Sequence, residues 1–407
     1  MGYKCFEAIL CINEITTVGK SPPSQKCQMA SSLRAVADKG GTTSAPDIHG
    51  PTKTELFREE SGSNYINTRS RSNLQLSEPM STYIQDKLAK GEKLTFFITG
   101  ASGYIGLVVT EFAIAQGHSV RGLSRSEAGA EKLRALGATP ILGTITAHDI
   151  LARESAAADA IIHLAWNHDW SADFNKTVDG DIAAVNAICA SIKDTGKPLV
   201  IASGGAGAQP NSDGSETDET TPLRPNFFAA KRMQSEVNAT AKEGVYGMSI
   251  RLSPYVYGRG GKGFLLMQIA KAVELNESLY INDGSYHTSP LHVEDAARLF
   301  ISAVLKGMAG EAYNGVGQTD VTLKDMAEAI GKLVGVPVRS VTFDEAAEKW
   351  TPFLAAFNYL DVRGSNKKAR EMLDWKPEGT RYITDITSGS YVPVAAQLKK
   401  QKSNAQK

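Results

Sequence analysis

The feature that most constrains the fold is a row of glycines that follows a short apolar segment. Residues 94–99 are mostly apolar, and Gly100, Gly103 and Gly106 come directly after them, ahead of a helical pattern. Gly100 allows a tight turn off a strand, and Gly106 allows the following helix to pack close to that strand. The absent side chain of Gly103 leaves room for a pyrophosphate to approach the helix N-terminus. The spacing therefore predicts a dinucleotide-binding unit of strand, loop and helix.

Downstream of this motif, apolar runs of strand length alternate with helical patterns. Such alternation is typical of repeated βαβ units, and nearly continuous apolar strands indicate a parallel sheet that helices cover on both faces. The predicted strands are residues 94–99, 119–124, 140–142, 160–165, 199–203 and 247–252, with helices at 106–116 and 178–195. We therefore predict an α/β fold with a doubly wound parallel sheet of the Rossmann type over residues 93–258.

The alternation becomes less regular after residue 257. Further helical patterns follow at residues 264–275, 293–305 and 323–333. They predict a smaller C-terminal substrate-binding cap over residues 259–390, intertwined with the sheet edge. Residues 391–407 are predicted to be a flexible tail.

The first part of the chain differs in composition from the rest. Up to about residue 92, Gly, Ser, Thr, Asn and charged residues dominate without apolar periodicity. A segment of this kind buries too little apolar surface to offset the entropy that it loses on ordering. Residues 1–92 are therefore predicted to be a disordered leader that ends in a short helix near residues 82–90. Met29 and Met80 are open alternatives as start codons.

Charge and composition exclude several classes of protein. Lys plus Arg and Asp plus Glu both number 44, so the chain lacks the basic excess of a nucleic-acid binder or a polybasic membrane-surface protein. No run reaches the ~18 apolar residues of a membrane span, and the first residues lack the pattern of a secretory signal. The four cysteines show no metal or disulfide spacing. We expect a cytoplasmic protein with free thiols that binds a small-molecule substrate but no metal, nucleic acid or membrane; its oligomeric state is open.

The end of the second predicted strand bears on the choice of cofactor. NAD sites usually carry an Asp or Glu there, which binds the ribose 2′-hydroxyl. This chain has Arg125 between Ser124 and Ser126 instead, and a guanidinium can bind a 2′-phosphate through two hydrogen bonds. The sequence therefore favours NADP, with NAD still possible. The alternative interpretation of Arg125 is a solvated surface residue.

Five motifs in order resemble those of the extended and atypical short-chain dehydrogenase/reductase proteins, the NAD-dependent epimerase/dehydratase family. Besides the glycine motif, they are residues 148–150, 161–165, 251–258 and 290–297. The resemblance covers residues 94–389, nearly everything after the leader. In addition to the three glycines, Arg125 and Lys231, it implies cofactor contacts at Ser102, Tyr104, Ile105, Asp149, Ile150, Leu164 and Ala165.

The catalytic group of that family is a Ser or Thr, a Tyr, and a Lys four residues after the Tyr. By resemblance, Ser203 is the serine that orients the substrate oxygen and Lys231 is the lysine that binds the nicotinamide ribose. Gly204 is an alternative for the serine position. The tyrosine position holds Phe227, which has no proton to transfer. Either another group supplies the proton, or the reaction is not ordinary carbonyl reduction.

Other polar side chains lie on segments expected near the cofactor. We favour a packing or surface role for each of Tyr104, Tyr255, Tyr257, His168 and Asp169, and a core position for His163 and His292. The resemblance implies an NADP-dependent oxidoreductase or epimerase-like enzyme that acts on a small carbonyl or hydroxyl compound. The alternatives are a non-enzymatic dinucleotide-binding sensor and a non-redox isomerase or lyase that uses the same pocket.

Overall fold

A seven-stranded sheet forms the centre of the computed structural model, which describes residues 81–168, 173–225, 227 and 229–406. In chain order the strands are β1 (Thr95–Thr99), β2 (Ser119–Ser124), β3 (Thr139–Leu142), β4 (Ala160–His163), β5 (Pro198–Gly204), β6 (Tyr246–Leu252), β7 (Val256–Tyr257), β8 (Ser278–Ile281), β9 (Leu291–His292), β10 (Ala312–Gly315) and β11 (Val338–Val341). Neighbours in the large sheet run parallel, in the order β10-β6-β5-β4-β1-β2-β3. The predicted doubly wound α/β fold is confirmed.

Helices follow most of the strands and cover the sheet. The described α-helices are α1 (Thr82–Ala89), α2 (Tyr104–Ala115), α3 (Glu127–Ala135), α4 (His148–Ala157), α5 (Phe174–Ser191), α6 (Met233–Thr240), α7 (Phe264–Leu275), α8 (Val293–Lys306), α9 (Leu323–Val334), α10 (Phe343–Lys349), α11 (Pro352–Phe357), α12 (Lys367–Leu373), α13 (Tyr382–Ser388) and α14 (Val392–Ala405). None of these described helices is long and apolar enough to span a membrane.

Strand β1 shows why its apolar run is nearly continuous. Phe96 and Ile98 pack into the cluster on one face of the sheet, and Phe97 packs into the cluster on the other face. All three side chains are fully buried. Side chains alternate between the two faces of a strand, so a strand covered on both faces needs apolar residues at every position.

The strand order reverses direction at β1, because β2 lies on one side of it and β4 on the other. In doubly wound sheets, ligands bind in the crevice outside the carboxyl ends of the strands at such a point. The loop that carries the glycine motif leaves β1 at this end. The C-terminal part of the chain contributes to the same layers, since β10 pairs with β6 and α8 packs in one apolar cluster with α2.

The short helix predicted near residues 82–90 is present as α1, but it packs on the folded domain and is not the end of a disordered leader. In α1, Ile84 is only 1% exposed, and the Tyr83 hydroxyl donates to Asp159 Oδ1 at 2.7 Å. Ser81 Oγ donates to the carbonyl of Gly196 at 2.6 Å. These tertiary contacts, which composition does not reveal, hold α1 against the sheet domain. The rest of the predicted leader lies outside the described residues, as do three of the cysteines; the fourth, Cys189, is a free thiol as predicted.

Two truncations test where the folded part begins. We expect removal of residues 1–80 to change the free energy of unfolding by no more than about 1 kcal/mol, because their composition is unsuited to a packed core. Removal of residues 1–92 should cost about 2–5 kcal/mol, since it also empties the site of Ile84. Urea unfolding of both proteins measures the difference. Equal stability of the two would show that α1 contributes nothing, and a large loss in the first would show that the leader packs on the core.

The prediction of a flexible tail from residue 391 is also wrong. Residues Val392–Ala405 form α14, and Tyr391, Ala395 and Leu398 are buried along one side of it. Their spacing of four and three residues is that of one helix face. The backbone N–H of Gly258 donates to the Tyr391 hydroxyl at 3.2 Å. The helix was missed because its apolar residues are few and its exposed face carries many polar ones.

Candidate functional site

The glycine loop at the end of β1 has no room for a side chain at Gly100 or Gly106. Gly100 has a φ of +66°, and a Cβ there would come within 2.8 Å of the backbone of Ala165. A Cβ at Gly106 would lie 2.1 Å from the carbonyl oxygen of Gly100. Gly103 is the N-cap residue of α2, and no side chain of the described residues caps this helix. The N–H groups of its first turn therefore remain available to an anion.

The neighbouring strand end closes one side of this loop. The backbone N–H of Leu164 donates to the carbonyl of Thr99 at 3.2 Å, and that of Ala165 donates to Thr99 Oγ1 at 3.3 Å. On the other side, Ser124 Oγ lies 3.3 Å from Ser102 Oγ. The structure thus brings together the three glycines and the predicted cofactor contacts Ser102, Leu164 and Ala165.

Tyr104 and Ile105 contribute to packing at the start of α2. The Tyr104 hydroxyl donates to the carbonyl of Gly258 at 2.7 Å, and its ring fills the space where Gly261 lacks a Cβ. Burial, followed by the neighbouring hydroxyl of Tyr391, raises the pKa of Tyr104 far above its ordinary value. Ile105 packs against the apolar cluster under the sheet. The Tyr104 phenol therefore fixes the 258–261 loop and is not a free proton donor.

Arg125 is exposed at the carboxyl end of β2, next to Ser126, whose side chain caps α3. The pKa of His168 is lowered to about 4, mainly by burial. The positive charges of Arg232 and then Arg125 contribute to this lowering, so Arg125 lies close to His168. His168 is therefore neutral at pH 7. The two guanidinium groups form a positive region between the ends of β2 and β4.

The two predicted cofactor contacts after β3, Asp149 and Ile150, lie in different environments. Asp149 is exposed in the first turn of α4. Ile150 points inward, and its Cδ1 lies 3.0 Å from the place where a Cβ of Gly143 would be. Ile150 therefore packs against the segment that follows β3.

A buried polar network connects the end of β1 with α5 and α6. His163 Nδ1 is 2.8 Å from Thr99 Oγ1, and its Nε2 is 3.1 Å from Asp181 Oδ1. Ser235 Oγ donates to Asp181 Oδ2 at 2.5 Å. Burial alone would raise the pKa of the Asp181 carboxyl, but the hydrogen bonds from His163 and Ser235 outweigh it, so this pKa lies below its ordinary value. His163 is the satisfied core histidine that the sequence predicted.

The other polar residues expected near the cofactor also serve packing. The Tyr255 hydroxyl donates to Asn358 Oδ1 at 2.9 Å, and the Tyr257 hydroxyl donates to the carbonyl of Thr380 at 2.6 Å. His292 is buried and caps α8 through its Nδ1, which accepts from Glu294 N–H. The predicted packing roles of these three residues are confirmed. Asp169 lies outside the described residues.

Ser203 and Lys231 do not meet in the structure. Ser203 is 5% exposed, and its hydroxyl points to Met233 Sδ at 3.7 Å. Lys231 Nζ pairs with Asp179 Oδ1 at 2.6 Å on an exposed surface. A Cβ at Gly204 would meet no atom of the described residues within 4 Å. Because side chains alternate along a strand, residue 204 faces the opposite side from Ser203, and the assignment of Ser203 as the substrate-orienting hydroxyl is not supported by this geometry.

Arg232 is the cation that sequence reasoning missed. Its guanidinium carbon lies 4.0 Å from the ring centre of Trp166, in the segment that follows β4. Burial lowers its pKa, partly offset by the Asp181 carboxylate. Its place directly after Lys231 was the available signal. In the 3-10 turn over Ala230–Arg232, successive side chains point in different directions, since this helix has 3.0 residues per turn.

Phe227, which the sequence predicts at the position of the family tyrosine, packs beside Gly207 in the segment that follows β5. Its Cε1 is 3.1 Å from the place of a Cβ on Gly207, and its ring packs with Ala206, Leu360 and Val362. The site therefore combines a tight dinucleotide cradle with a positive region and an apolar surface. It can bind an anionic dinucleotide, but its strand β5 edge offers an aromatic ring in place of a proton donor.

Comparison with known proteins agrees with this geometry. The sequence model of the NAD dependent epimerase/dehydratase family matches residues 96–315. An uncharacterized protein of Schizosaccharomyces pombe is 35% identical over 301 residues, which are 73% of this chain and 100% of the relative. A 4-hydroxy-2-methyl-3-oxo-4-farnesyl-3,4-dihydroquinoline-1-oxide ketoreductase of Stigmatella aurantiaca is 29% identical over 222 residues, 53% of this chain and 66% of the relative.

The solved structures agree at the level of the fold. The UDP-glucuronic acid 4-epimerase of Bacillus cereus, in complex with UDP-glucuronic acid and NAD, superposes with a TM-score of 0.59 at 16% identity. The match covers 75% of this chain and 100% of the epimerase.

Proposed function

Because the chain belongs to the NAD-dependent epimerase/dehydratase family, we propose that it is an NADP-dependent oxidoreductase that reduces a small carbonyl compound. The observation that carries this proposal is the glycine loop, in which a Cβ at Gly100 or Gly106 would meet backbone atoms and which Ala165 borders. A ketoreductase among the relatives supports reduction as the reaction.

The residues present fit a dinucleotide. The first turn of α2 would bind its pyrophosphate, the backbone at Leu164 and Ala165 would border its ribose, and Arg125 would bind a 2′-phosphate. When bound, the cofactor supplies a hydride to the carbonyl carbon. Arg232, beside Trp166 at the end of β4, is the inward-facing cation, whereas Lys231 would have to leave Asp179 to reach the ribose. Ser203, bonded to Met233, would likewise have to rotate to orient a substrate oxygen.

The reaction also requires a proton donor. The developing alkoxide must accept a proton, and Phe227 has none to donate. We therefore assign the proton to solvent at the open position beside Gly204, which makes turnover of simple ketones slow, since a positioned acid is typically worth ~10²–10⁴ in rate. A panel of ketones and aldehydes, with oxidation of NADPH followed by absorbance, tests the proposal.

Phe227 is also the observation that favours a second candidate, a dinucleotide-binding sensor. Such a protein would keep the glycine cradle and need no proton donor. Binding of NADPH without oxidation by any carbonyl of the panel would support this candidate, or a non-redox isomerase or lyase, over the reductase. The cytoplasmic location stays a prediction.

Cofactor choice is tested at Arg125. We expect NADP to bind at least about tenfold more tightly than NAD, ~1.4 kcal/mol, because an exposed guanidinium stands at the end of β2, where NAD sites usually carry a carboxylate. Arg125→Ala should remove this preference. Arg134→Ala, which removes an exposed arginine of the neighbouring α3, serves as the matched control. Calorimetric titration of both cofactors decides the matter, and equal affinities in the unaltered protein would refute NADP preference.

A further inference from the structure

Three phenylalanine rings of α7 and α11 contact one another, and a fourth, Phe227, packs against the same apolar residues as one of them. The rings of Phe264 and Phe357 stack with centres 4.6 Å apart, and Phe353 lies 4.8 Å from Phe357. Phe227 joins them through the apolar cluster that it shares with Phe357. All four are half-buried, so each ring keeps part of its surface accessible. We call these four residues the phenylalanine cluster.

The cluster lies beside the dinucleotide cradle. Phe227 covers Gly207, which directly follows β5. Phe264 begins α7 immediately after the 258–263 loop, and that loop accepts the hydrogen bond of Tyr104 from the start of α2. The cluster therefore lines the carboxyl edge of the sheet, where substrates of doubly wound folds bind.

Two arginines of this edge, Arg224 and Arg251, are already engaged with protein oxygens. Arg224 donates through Nε to the carbonyl of Ala206 at 3.1 Å and through a second nitrogen to the carbonyl of Asp361. Arg251 pairs with Glu236 at 2.6 Å and also donates to the carbonyl of Glu219. A diphosphate would have to take these two guanidinium groups from protein oxygens, and for Arg251 it would leave the buried Glu236 carboxylate without its partner. An apolar ligand meets no such cost.

We infer that the substrate is a largely apolar carbonyl compound whose ring or alkyl part lies against the phenylalanine cluster, and not a nucleotide-diphosphate sugar. This inference rests on the proposed function, because only the proposed reduction requires the substrate to carry a carbonyl group. The cluster supplies the apolar surface and flat ring faces that aromatic or alkyl groups pack on, and the engaged arginines supply the discrimination against phosphate.

The test measures binding, so that it does not depend on turnover. The full chain saturated with NADPH is titrated with benzylacetone and with UDP-glucose. We expect benzylacetone to bind at least about tenfold more tightly. Phe357→Ala should weaken benzylacetone binding by about tenfold, the effect of losing one ring contact with its buried area, and leave the NADPH affinity unchanged. Phe343→Ala is the matched control, because it removes another half-buried ring, one that packs on Tyr359.

Phe357→Gln, which keeps a side chain of some length, covers the case in which the alanine variant unfolds, and it should weaken benzylacetone binding similarly. Tighter binding of UDP-glucose overturns the inference, and so does an unchanged benzylacetone affinity in a folded Phe357 variant. The proposed reductase fails separately, if NADPH and benzylacetone both bind but no carbonyl oxidises NADPH. Oxidation of NADPH without preference for apolar carbonyls would overturn only the inference.

Discussion

Gly106→Ala should weaken NADPH binding by about 100-fold, ~2.7 kcal/mol. The added Cβ would lie 2.1 Å from the carbonyl oxygen of Gly100 and 2.8 Å from the Cα of Ala101. Both are backbone atoms, so rotation of a side chain cannot relieve the overlap, and the glycine loop itself must move. Gly100 has little freedom to move, since its own missing Cβ faces the backbone of Ala165. Titration of NADPH followed by protein fluorescence measures the loss.

Gly180→Ala is the matched control for this substitution. Gly180 lies inside α5, and a Cβ there would meet no atom of the described residues within 4 Å. Alanine in a helix is favoured over glycine by about 0.5–1 kcal/mol, so this variant should be slightly more stable and bind NADPH normally. Thermal unfolding of both variants separates loss of binding from loss of folding. A folded Gly106→Ala protein with normal NADPH affinity would show that the cofactor does not use this loop.

Six of the seven strands of the sheet were predictable from local pattern, and β10 was not. In β1 every residue of the Phe96–Ile98 run is buried and apolar, and β2 begins and ends at the residues predicted. The glycine loop was predictable for a similar reason, since Gly100 has a positive φ and Gly106 makes a close backbone contact that few other residues tolerate. In both cases one short segment contains all the information.

The buried network around Asp181 was not predicted, although the sequence does indicate that Asp181 is buried. Val178, Asp181, Val185 and Ile188 are buried on one face of α5, so helical spacing places a carboxylate in an apolar stripe. A buried carboxylate needs a partner. That partner, His163, lies on a different strand, and only the packing of α5 against β4 reveals it. The local pattern therefore indicates that Asp181 needs a partner but does not identify that partner.

Contacts of α6 show why Lys231 faces the surface and not the predicted cofactor site. Ser235 is held by Asp181, and Glu236 is held by Arg251. These two buried bonds anchor neighbouring residues of one helix to two different elements, α5 and β6. They fix the rotation of the turn that precedes the helix, and in that rotation Arg232 faces inward while Lys231 faces Asp179. Sequence spacing alone cannot determine such a rotation, because it depends on partners from both sides.

Two substitutions near the carboxyl end of β5 should supply the proton donor that Phe227 lacks. Phe227→Tyr adds a phenol beside Gly207, and Gly204→Ser adds a hydroxyl where a Cβ meets no atom of the described residues within 4 Å. We expect Phe227→Tyr to raise the rate of ketone reduction about tenfold, and the double variant to raise it about 100-fold, within the usual range for a positioned acid. Steady-state oxidation of NADPH with benzylacetone measures both, at constant NADPH affinity.

Two variants separate the hydroxyls from changes in shape. Gly204→Ala fills the open position without adding a proton donor, and Phe227→Leu changes the ring without adding a phenol, so neither should increase the rate. If the unaltered protein already reduces ketones quickly and the double variant gains nothing, another group holds the proton. Tyr104, Tyr255 and Tyr257 are poor choices for that group, because their hydroxyls already donate to Gly258, Asn358 and Thr380. A gain with Gly204→Ser alone would instead show that orientation of the carbonyl oxygen, and not its protonation, limits the rate.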